Sequence, residues 1–241
     1  MARPTPSDLL AAWERGLALP APDRSLALLA AGDSGASADE LAALPVGERD
    51  ARLLELREWA FGSAMTGTAA CPACGAELEL PVDARQIAAG TGALAPDGRV
   101  SVGDHEIRYR LPDSRDLRDA ALAGTVEGAR AVLLERCVVS ALCGGDPVSP
   151  GELPDDVVDR VEARMAEAGA DVQLALACPD CRHEWQADFD PGVFLWGEID
   201  QWARRVLVDV AALAAAYGWT EPDVLALGPR RRAAYLELVD A

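Results

Sequence analysis

The 241-residue sequence contains no lysine, only two histidines, and few aromatic residues, which make up 5% of the chain. Its 22 basic residues are therefore all arginines, and they face 40 aspartates and glutamates, so the formal net charge is −18 at pH 7. A protein that binds a polyanion must neutralise phosphates with clustered basic side chains. The composition thus disfavours nucleic acid and anionic membranes as partners.

Long hydrophobic runs are also missing. No stretch approaches the roughly 18 apolar residues that suggest a membrane-spanning helix, and the segment from Met1 to Asp8 lacks the basic-then-apolar layout of a signal peptide. The sequence therefore predicts a cytoplasmic protein. Since thiols stay reduced in the cytosol, its six cysteines are interpreted as metal ligands sooner than as disulfides.

Catalytic signatures are absent as well. The chain has no glycine-rich phosphate loop, no G-x-S-x-G and no H-E-x-x-H, and its only histidines are His105 and His183. Acidic residues such as Asp155 and Asp156 are scattered along the chain, and we interpret them as solvated surface. We expect a protein that is not an enzyme.

The clearest positive feature is a pair of matching C-x-x-C turns, Cys71-Pro-Ala-Cys74-Gly and Cys178-Pro-Asp-Cys181-Arg. Such a turn directs two thiolates at one ion, and two turns complete the tetrahedral shell that Zn²⁺ prefers. The sequence therefore predicts one structural zinc bound by Cys71, Cys74, Cys178 and Cys181. Four thiolates leave no open position for a catalytic water.

Other interpretations of the cysteine pattern remain open. A single C-x-x-C motif is also typical of redox proteins, although no thioredoxin-like βαβ pattern surrounds either turn. His183 is close enough to the second turn to be considered as a replacement ligand. Cys137 and Cys143 do not have ligand spacing, and we interpret them as free thiols.

The hydrophobic periodicity predicts an α+β fold that is predominantly helical. Between Cys74 and Cys178 lie 103 residues, far more than the roughly 15 to 20 of a compact zinc ribbon, so we expect a helical insertion between two cysteine hairpins. The sequence predicts three parts: N-terminal helices over 1–62, a split zinc-ribbon sheet region over 63–190, and C-terminal helices over 191–241. In the middle part, residues 63–111 and 171–190 form the sheet, and residues 112–170 form a helical insertion between its two halves.

Several local features refine this division. Ser7 is expected to cap a first helix, Pro45 to separate two helices within 38–61, and residues 89–98 to form a loop. A mostly apolar stretch from Val126 to Leu142 predicts a buried helix. A long helix from about Val193 to Tyr217 is apolar on more than half its surface, and we expect part of it, around Trp202, to contact a partner.

Six segments together resemble the T4-type phage baseplate protein family, whose bacterial members occur with phage-tail-like contractile injection systems. They are residues 44–54, the first cysteine turn, and residues 178–185, 194–202, 217–219 and 227–232. The resemblance extends from about Leu41 to Val239. One departure is Arg182, where relatives usually carry glycine, so we expect a positive φ and some strain there.

The resemblance implies a non-enzymatic assembly factor or chaperone for the baseplate hub, which acts in the cytoplasm on baseplate and hub proteins of a contractile tail-like particle. Two alternatives remain open: a permanent structural subunit of the baseplate, and a zinc-ribbon scaffold or regulator unrelated to phage tails. The sequence does not indicate whether the chain associates with itself.

Overall fold

The computed structural model describes residues 3–33, 35–91, 97–170 and 172–239. Helices predominate and the sheets are small and antiparallel, which confirms the predicted α+β class. Contacts divide the chain into two compact units, one formed by residues 1–36 and 192–241 and the other by residues 37–191. Residues 37–62, which the sequence pattern grouped with the N-terminal helices, fall in the second unit because their long helix packs against the short helix Ala84–Thr91 and the turn Ala166–Ala170.

The first unit is helical. Its described residues form the helices α1 (Pro6–Gly16), α2 (Ala21–Gly32), α9 (Pro191–Tyr217, whose first residue belongs to the other unit), α10 (Glu221–Leu225) and α11 (Pro229–Val239). Thr5, and not the predicted Ser7, caps α1, because its hydroxyl accepts from the Asp8 N–H while the Asp8 carboxylate accepts from the Thr5 N–H.

Aromatic side chains of α9 pack inside this unit. Trp196 lies against Gly16 so closely that a Cβ at Gly16 would overlap the indole ring, and the Arg24 guanidinium lies 5.1 Å from the ring centre. Trp202 is half-buried against a core formed by Leu10, Ala203, Val206 and Leu225. The large apolar residues that α9 exposes are Val193, Leu207, Val208 and Tyr217.

The second unit begins with α3 (Ala38–Ala42) and α4 (Val46–Phe61), which Pro45 separates as predicted. Gly62 ends α4 with a φ of 92°, a conformation that glycine adopts without steric cost. The short helix α5 (Ala84–Thr91) was not predicted, and it takes up the start of the expected loop over 89–98. The rest of that loop falls on residues 92–96, outside the described residues, and on the next strand.

A four-stranded antiparallel sheet extends into the predicted helical insertion, 112–170, so this region contains two strands besides its helices. Its strands lie in the order β3 (Asp97–Val102), β4 (His105–Arg110), β5 (Val138–Cys143) and β6 (Asp146–Pro147), each paired with the next. Both β5 and β6 lie within 112–170. The helices α6 (Ser114–Ala121), α7 (Val126–Cys137) and α8 (Asp155–Met165) complete this region, and a π-helical turn, Ala166–Ala170, follows α8.

The stretch from Val126 to Leu142 is therefore a helix followed by a strand. α7 ends at Cys137, which is its only fully buried residue, and the chain becomes extended at Val138. The turn at Gly144 and Gly145, both with positive φ, then leads into β6. Val157, Val158 and Val161 of α8 pack on this sheet and form its core with residues such as Ile107.

The two cysteine hairpins are present as predicted, but they form two separate two-stranded sheets. β1 (Ala64–Ala70) pairs with β2 (Glu77–Asp83), and β7 (Gln173–Ala177) pairs with β8 (Glu184–Asp188). The expected single ribbon-like sheet is thus replaced by two hairpins whose turns meet.

Candidate metal centre

The first knuckle, residues 71–75, closes the β1–β2 hairpin. The Cys71 N–H donates to the Ala76 carbonyl at 2.9 Å, and the Gly75 N–H donates to the Cys71 carbonyl at 2.8 Å. Gly75 has a φ of 75°, which lets the backbone turn back sharply after Cys74. The result is a tight turn that directs both sulfurs to the same side.

The second knuckle, residues 178–182, repeats this geometry bond for bond. The Cys178 N–H donates to the His183 carbonyl and the Arg182 N–H donates to the Cys178 carbonyl, each at 2.9 Å. Arg182 occupies the place of Gly75 and has a φ of 61°, the only positive φ of a non-glycine residue in the described chain. The positive φ predicted at Arg182 is confirmed.

The two knuckles bring the four predicted ligands together. The Cys71 and Cys181 sulfurs lie 3.6 Å apart, the Cys74 and Cys178 sulfurs lie 3.7 Å apart, and all four sulfurs lie within 4.8 Å of one another. Four thiolates at about 2.3 Å from a tetrahedral Zn²⁺ would be about 3.8 Å apart. The four cysteines are close enough to hold a metal ion, and their spacing fits a zinc-sized one.

The pKa values of the cysteine thiols show how the closeness of the four sulfurs affects their ionisation. Burial opposes ionisation of Cys71, but the N–H groups of Cys74 and Ala73 bring the pKa of the Cys71 thiol down to about 7. The Ala76 N–H favours the Cys74 thiolate, yet the neighbouring Cys181 and Cys178 thiols raise the pKa of Cys74 to about 12. Four ionised sulfurs this close together repel one another, so a cluster of four thiolates needs a positive ion.

The surroundings of the cluster are apolar on the protein side. Cys71 and Cys178 are buried with Leu78, and Leu80 and Trp185 pack against them. Cys74 and Cys181 are exposed. His183 is exposed and stacks on Trp185, with ring centres 6.0 Å apart, and it is not a member of the ligand cluster.

The remaining two cysteines stand apart from the cluster. Cys137 is buried and Cys143 half-buried, and both are free. Burial and the nearby Asp116 carboxylate raise the pKa of the Cys137 thiol to about 11, so this thiol stays protonated and unreactive.

A buried ionic network in the same unit was missed by the sequence analysis. The Asp116 carboxylate is fully buried and accepts from Arg110 at 2.5 and 2.8 Å, from Arg136 at 2.6 Å and from the Asp113 N–H at 2.9 Å. These bonds outweigh burial and lower the pKa of Asp116 to about 2.

Asp50, beside Arg49 at 2.7 Å, is a second buried acid, and there burial raises the pKa to about 6. The interpretation of the scattered acids as solvated surface is wrong for these residues, because their partners are distant in sequence or their burial is set by tertiary packing.

The described residues contain a single candidate metal-binding cluster and no candidate membrane-spanning helix. The four cysteines form the one group of three or more Cys, His, Asp or Glu side chains positioned to share an ion in that part of the chain. None of the described helices combines the length and the hydropathy that crossing a bilayer would take.

A family model described as T4 bacteriophage base plate protein matches residues 32–186. The match covers both knuckles and nearly all of the unit formed by residues 37–191. The match ends before residues 194–202, 217–219 and 227–232, so the resemblance expected for those C-terminal segments stays a prediction. No curated protein and no solved structure shows significant similarity to the chain.

Proposed function

We propose that this chain, which belongs to the T4 bacteriophage base plate protein family, is a non-enzymatic assembly factor that binds baseplate proteins while a contractile tail-like particle is built in the cytoplasm. The observation that carries the proposal is the family match over residues 32–186. Membership of this family argues against the alternative of a zinc-ribbon regulator unrelated to phage tails.

The metal in this proposal is zinc, and its role is structural. Four thiolates within 4.8 Å of one another suit Zn²⁺, which prefers four tetrahedral ligands, and a closed shell of protein sulfurs leaves no site for a substrate or a reactive water. When bound, the ion would tie together the ends of two hairpins that are more than 100 residues apart in sequence. The centre therefore stabilises a binding scaffold instead of supplying chemistry.

The charge distribution supports a role in protein association. Residues 37–191 contain 29 acidic residues against 14 arginines, so most of the net charge of −18 lies in the unit that the family model matches. A strongly negative surface keeps a free protein soluble and speeds its encounter with positively charged partners. Both properties suit a factor that must find baseplate proteins before the particle is complete.

The second candidate is a permanent subunit of the baseplate, which the same family match supports. The two candidates differ in one measurable property, namely whether the chain remains in the finished particle. The experiment deletes the gene in a strain that produces contractile particles, and it measures particle number by electron microscopy and the composition of purified wild-type particles by quantitative mass spectrometry.

We expect sheath and tube proteins to be expressed without the gene, few complete baseplates to form, and the chain to be depleted from purified wild-type particles. Stoichiometric retention in those particles would replace the assembly-factor proposal with the permanent-subunit alternative. Normal particle numbers without the gene would contradict both. Complementation with the intact gene is the control for effects on neighbouring genes.

A further inference from the structure

An open groove of about 590 Å³ lies between the two cysteine hairpins. Its walls are residues 80–83 of β2 and residues 172–177, which comprise β7 and the residue before it, and Gln86 and Ile87 of α5 also line it. Consecutive residues of each strand line the groove, and β1 and β8 contribute none. A sheet face would present alternate residues of both strands, so the groove is bounded by the edges of β2 and β7.

The register of the first hairpin shows which backbone groups point into the groove. Two bonds flank the β1–β2 ladder, from the Cys71 N–H to the Ala76 carbonyl and from the Ala84 N–H to the Ser63 carbonyl. Because bonded and non-bonded pairs alternate along an antiparallel ladder, the even-numbered residues of β2 bond to β1. Glu79 and Pro81 therefore direct their backbone groups away from β1, which is the orientation in which a proline is tolerated in a strand.

The second hairpin follows the same rule. Its flanking bonds run from the Cys178 N–H to the His183 carbonyl and from the Phe189 N–H to the Val172 carbonyl. The even-numbered residues of β7 consequently bond to β8, and Ala175 and Ala177 direct their N–H and C=O groups away from it. The edge of β2 thus offers the groove the Pro81 carbonyl, and the edge of β7 offers it the N–H and C=O groups of Ala175 and Ala177, none of which either hairpin uses.

The side chains around the groove indicate the charge of its occupant. Among the described residues, Asp83 is the one charged residue that lines the groove, and the adjacent Arg85 is paired with Glu58. The two hairpins that bound the groove, residues 64–83 and 173–188, together hold six acidic residues and a single arginine, Arg182. Five of these acids are exposed, among them Glu77, Glu79 and Glu184. Apolar side chains of the same strands, such as Leu80 and Leu174, are half-buried. The groove therefore suits a segment with basic residues alternating with apolar ones.

We propose that this groove binds an extended, basic segment of a partner baseplate protein, which enters as an added strand between β2 and β7. The partner's identity as a baseplate protein rests on the proposed function, but the mode of binding rests on the strand edges and the charge alone. β2 runs away from the cysteine cluster and β7 runs towards it, so the two strands point in opposite directions. A strand added between them is therefore antiparallel to one edge and parallel to the other. Strand addition of this kind obtains its affinity from backbone hydrogen bonds.

The test compares two prolines at the same register position of one hairpin. Ala175→Pro removes an N–H that points into the groove, and Gln186→Pro, the matched control, removes one from the outer edge of β8 directly opposite. The probe is a labelled, end-blocked peptide of about nine alternating arginine and valine residues, which is a typical strand length. Binding is measured by fluorescence anisotropy with the metal-loaded full chain.

We expect the basic peptide to bind the wild type and the Gln186→Pro variant, and to bind the Ala175→Pro variant about tenfold more weakly. N-methylation of alternate amides keeps the charge of the peptide and blocks its hydrogen bonds, so it should weaken binding to the wild type by at least a similar factor. Replacement of the arginines by glutamates should abolish binding. Melting temperature and metal content must be unchanged in both variants, and Thr68→Pro on the outer edge of β1 provides a second control.

Equal affinity of both proline variants, or of the methylated peptide, would overturn strand addition and leave only charge attraction. Concentration-dependent self-association that Ala175→Pro removes would also overturn the proposal, because the occupant would then be a second copy of this chain. A failure in this assay is distinct from a failure of the proposed function, since gene deletion measures particle assembly without reference to the groove.

Discussion

At the scale of single residues, the two knuckles differ most at the position after the second cysteine. Gly75 and Arg182 adopt nearly the same left-handed conformation, with φ values of 75° and 61°, but only glycine does so without a clash involving Cβ. The sequence alone predicted this difference, because two copies of one motif with the same spacing should form the same turn.

Arg182→Gly should therefore stabilise the protein by about 0.5–1 kcal/mol, which is the strain released less the entropy that glycine loses on folding. The melting temperature of the metal-loaded protein, measured by calorimetry, should rise by about 2–4 °C. Gly75→Arg is the matched control and should destabilise the protein by a comparable amount. A fall in melting temperature for Arg182→Gly would mean that the arginine makes a stabilising contact that outweighs the strain of its backbone.

The burial of Asp116 could not be predicted from the sequence. Its neighbours in sequence give no sign of burial, since it lies in the first turn of a short helix rich in charged residues. Its burial depends on Arg110 and Arg136, which come from a strand and from another helix. The pattern of charges along a sequence describes local neighbours only. It therefore does not predict a buried carboxylate whose partners lie 6 and 20 residues away.

At the scale of secondary-structure elements, prediction succeeded where proline, glycine and periodicity agreed. Pro45 and Gly62 delimit α4, and the valine stripe identifies α8. Prediction failed at Val126 to Leu142, because a continuous apolar run fits a helix and a strand equally well. Pairing with β4 decides the outcome for Val138–Cys143, and that partner is more than 25 residues away in the sequence.

The cysteines of the two hairpins also allow a direct test of zinc binding. Cys71→Ser or Cys178→Ser removes one of four ligands, so each variant should hold less than half the zinc of the wild type and should melt at a lower temperature. Cys143→Ser is the matched control, because this half-buried cysteine is outside the cluster, and it should keep one equivalent of zinc. Zinc is measured by elemental analysis of protein purified without chelator.

A chelator adds an internal check on the same variants. It should lower the melting temperature of the wild type towards that of Cys71→Ser, and it should hardly affect Cys71→Ser itself, which has already lost its ion. Equal melting temperatures for the ligand and control variants, with little zinc in the wild type, would contradict a metal centre.

At the scale of the whole molecule, the predicted domain division and the observed units differ at the termini. Residues 1–36 and 192–241 form one unit, which includes a hydrogen bond from the Trp13 indole N–H to Asp200, 187 residues later. Patterns along a sequence identify helices but not which distant helices share a core, so this association could not be predicted. The association of the two cysteine turns could be predicted despite their distance in the sequence, because four ligands of one metal ion must lie together.

The remaining unit, residues 37–191, nearly coincides with the family match at residues 32–186. All four clustered cysteines lie in it, and so does the core that α8 forms with the four-stranded sheet. A segment with its own core and its own candidate metal ligands meets the usual conditions for an independent domain.

We therefore expect a fragment of residues 37–191 to fold by itself, to unfold cooperatively and to bind one equivalent of zinc. Folding is measured by near-ultraviolet circular dichroism and calorimetry, and zinc by elemental analysis. A fragment of residues 37–177 keeps the first knuckle and lacks the second, so it serves as the control and should bind zinc weakly, because only two of the four ligands remain. A disordered 37–191 fragment without zinc would show that the terminal helices are required for the metal centre to form, and that the family-matched part of the chain is not an independent domain.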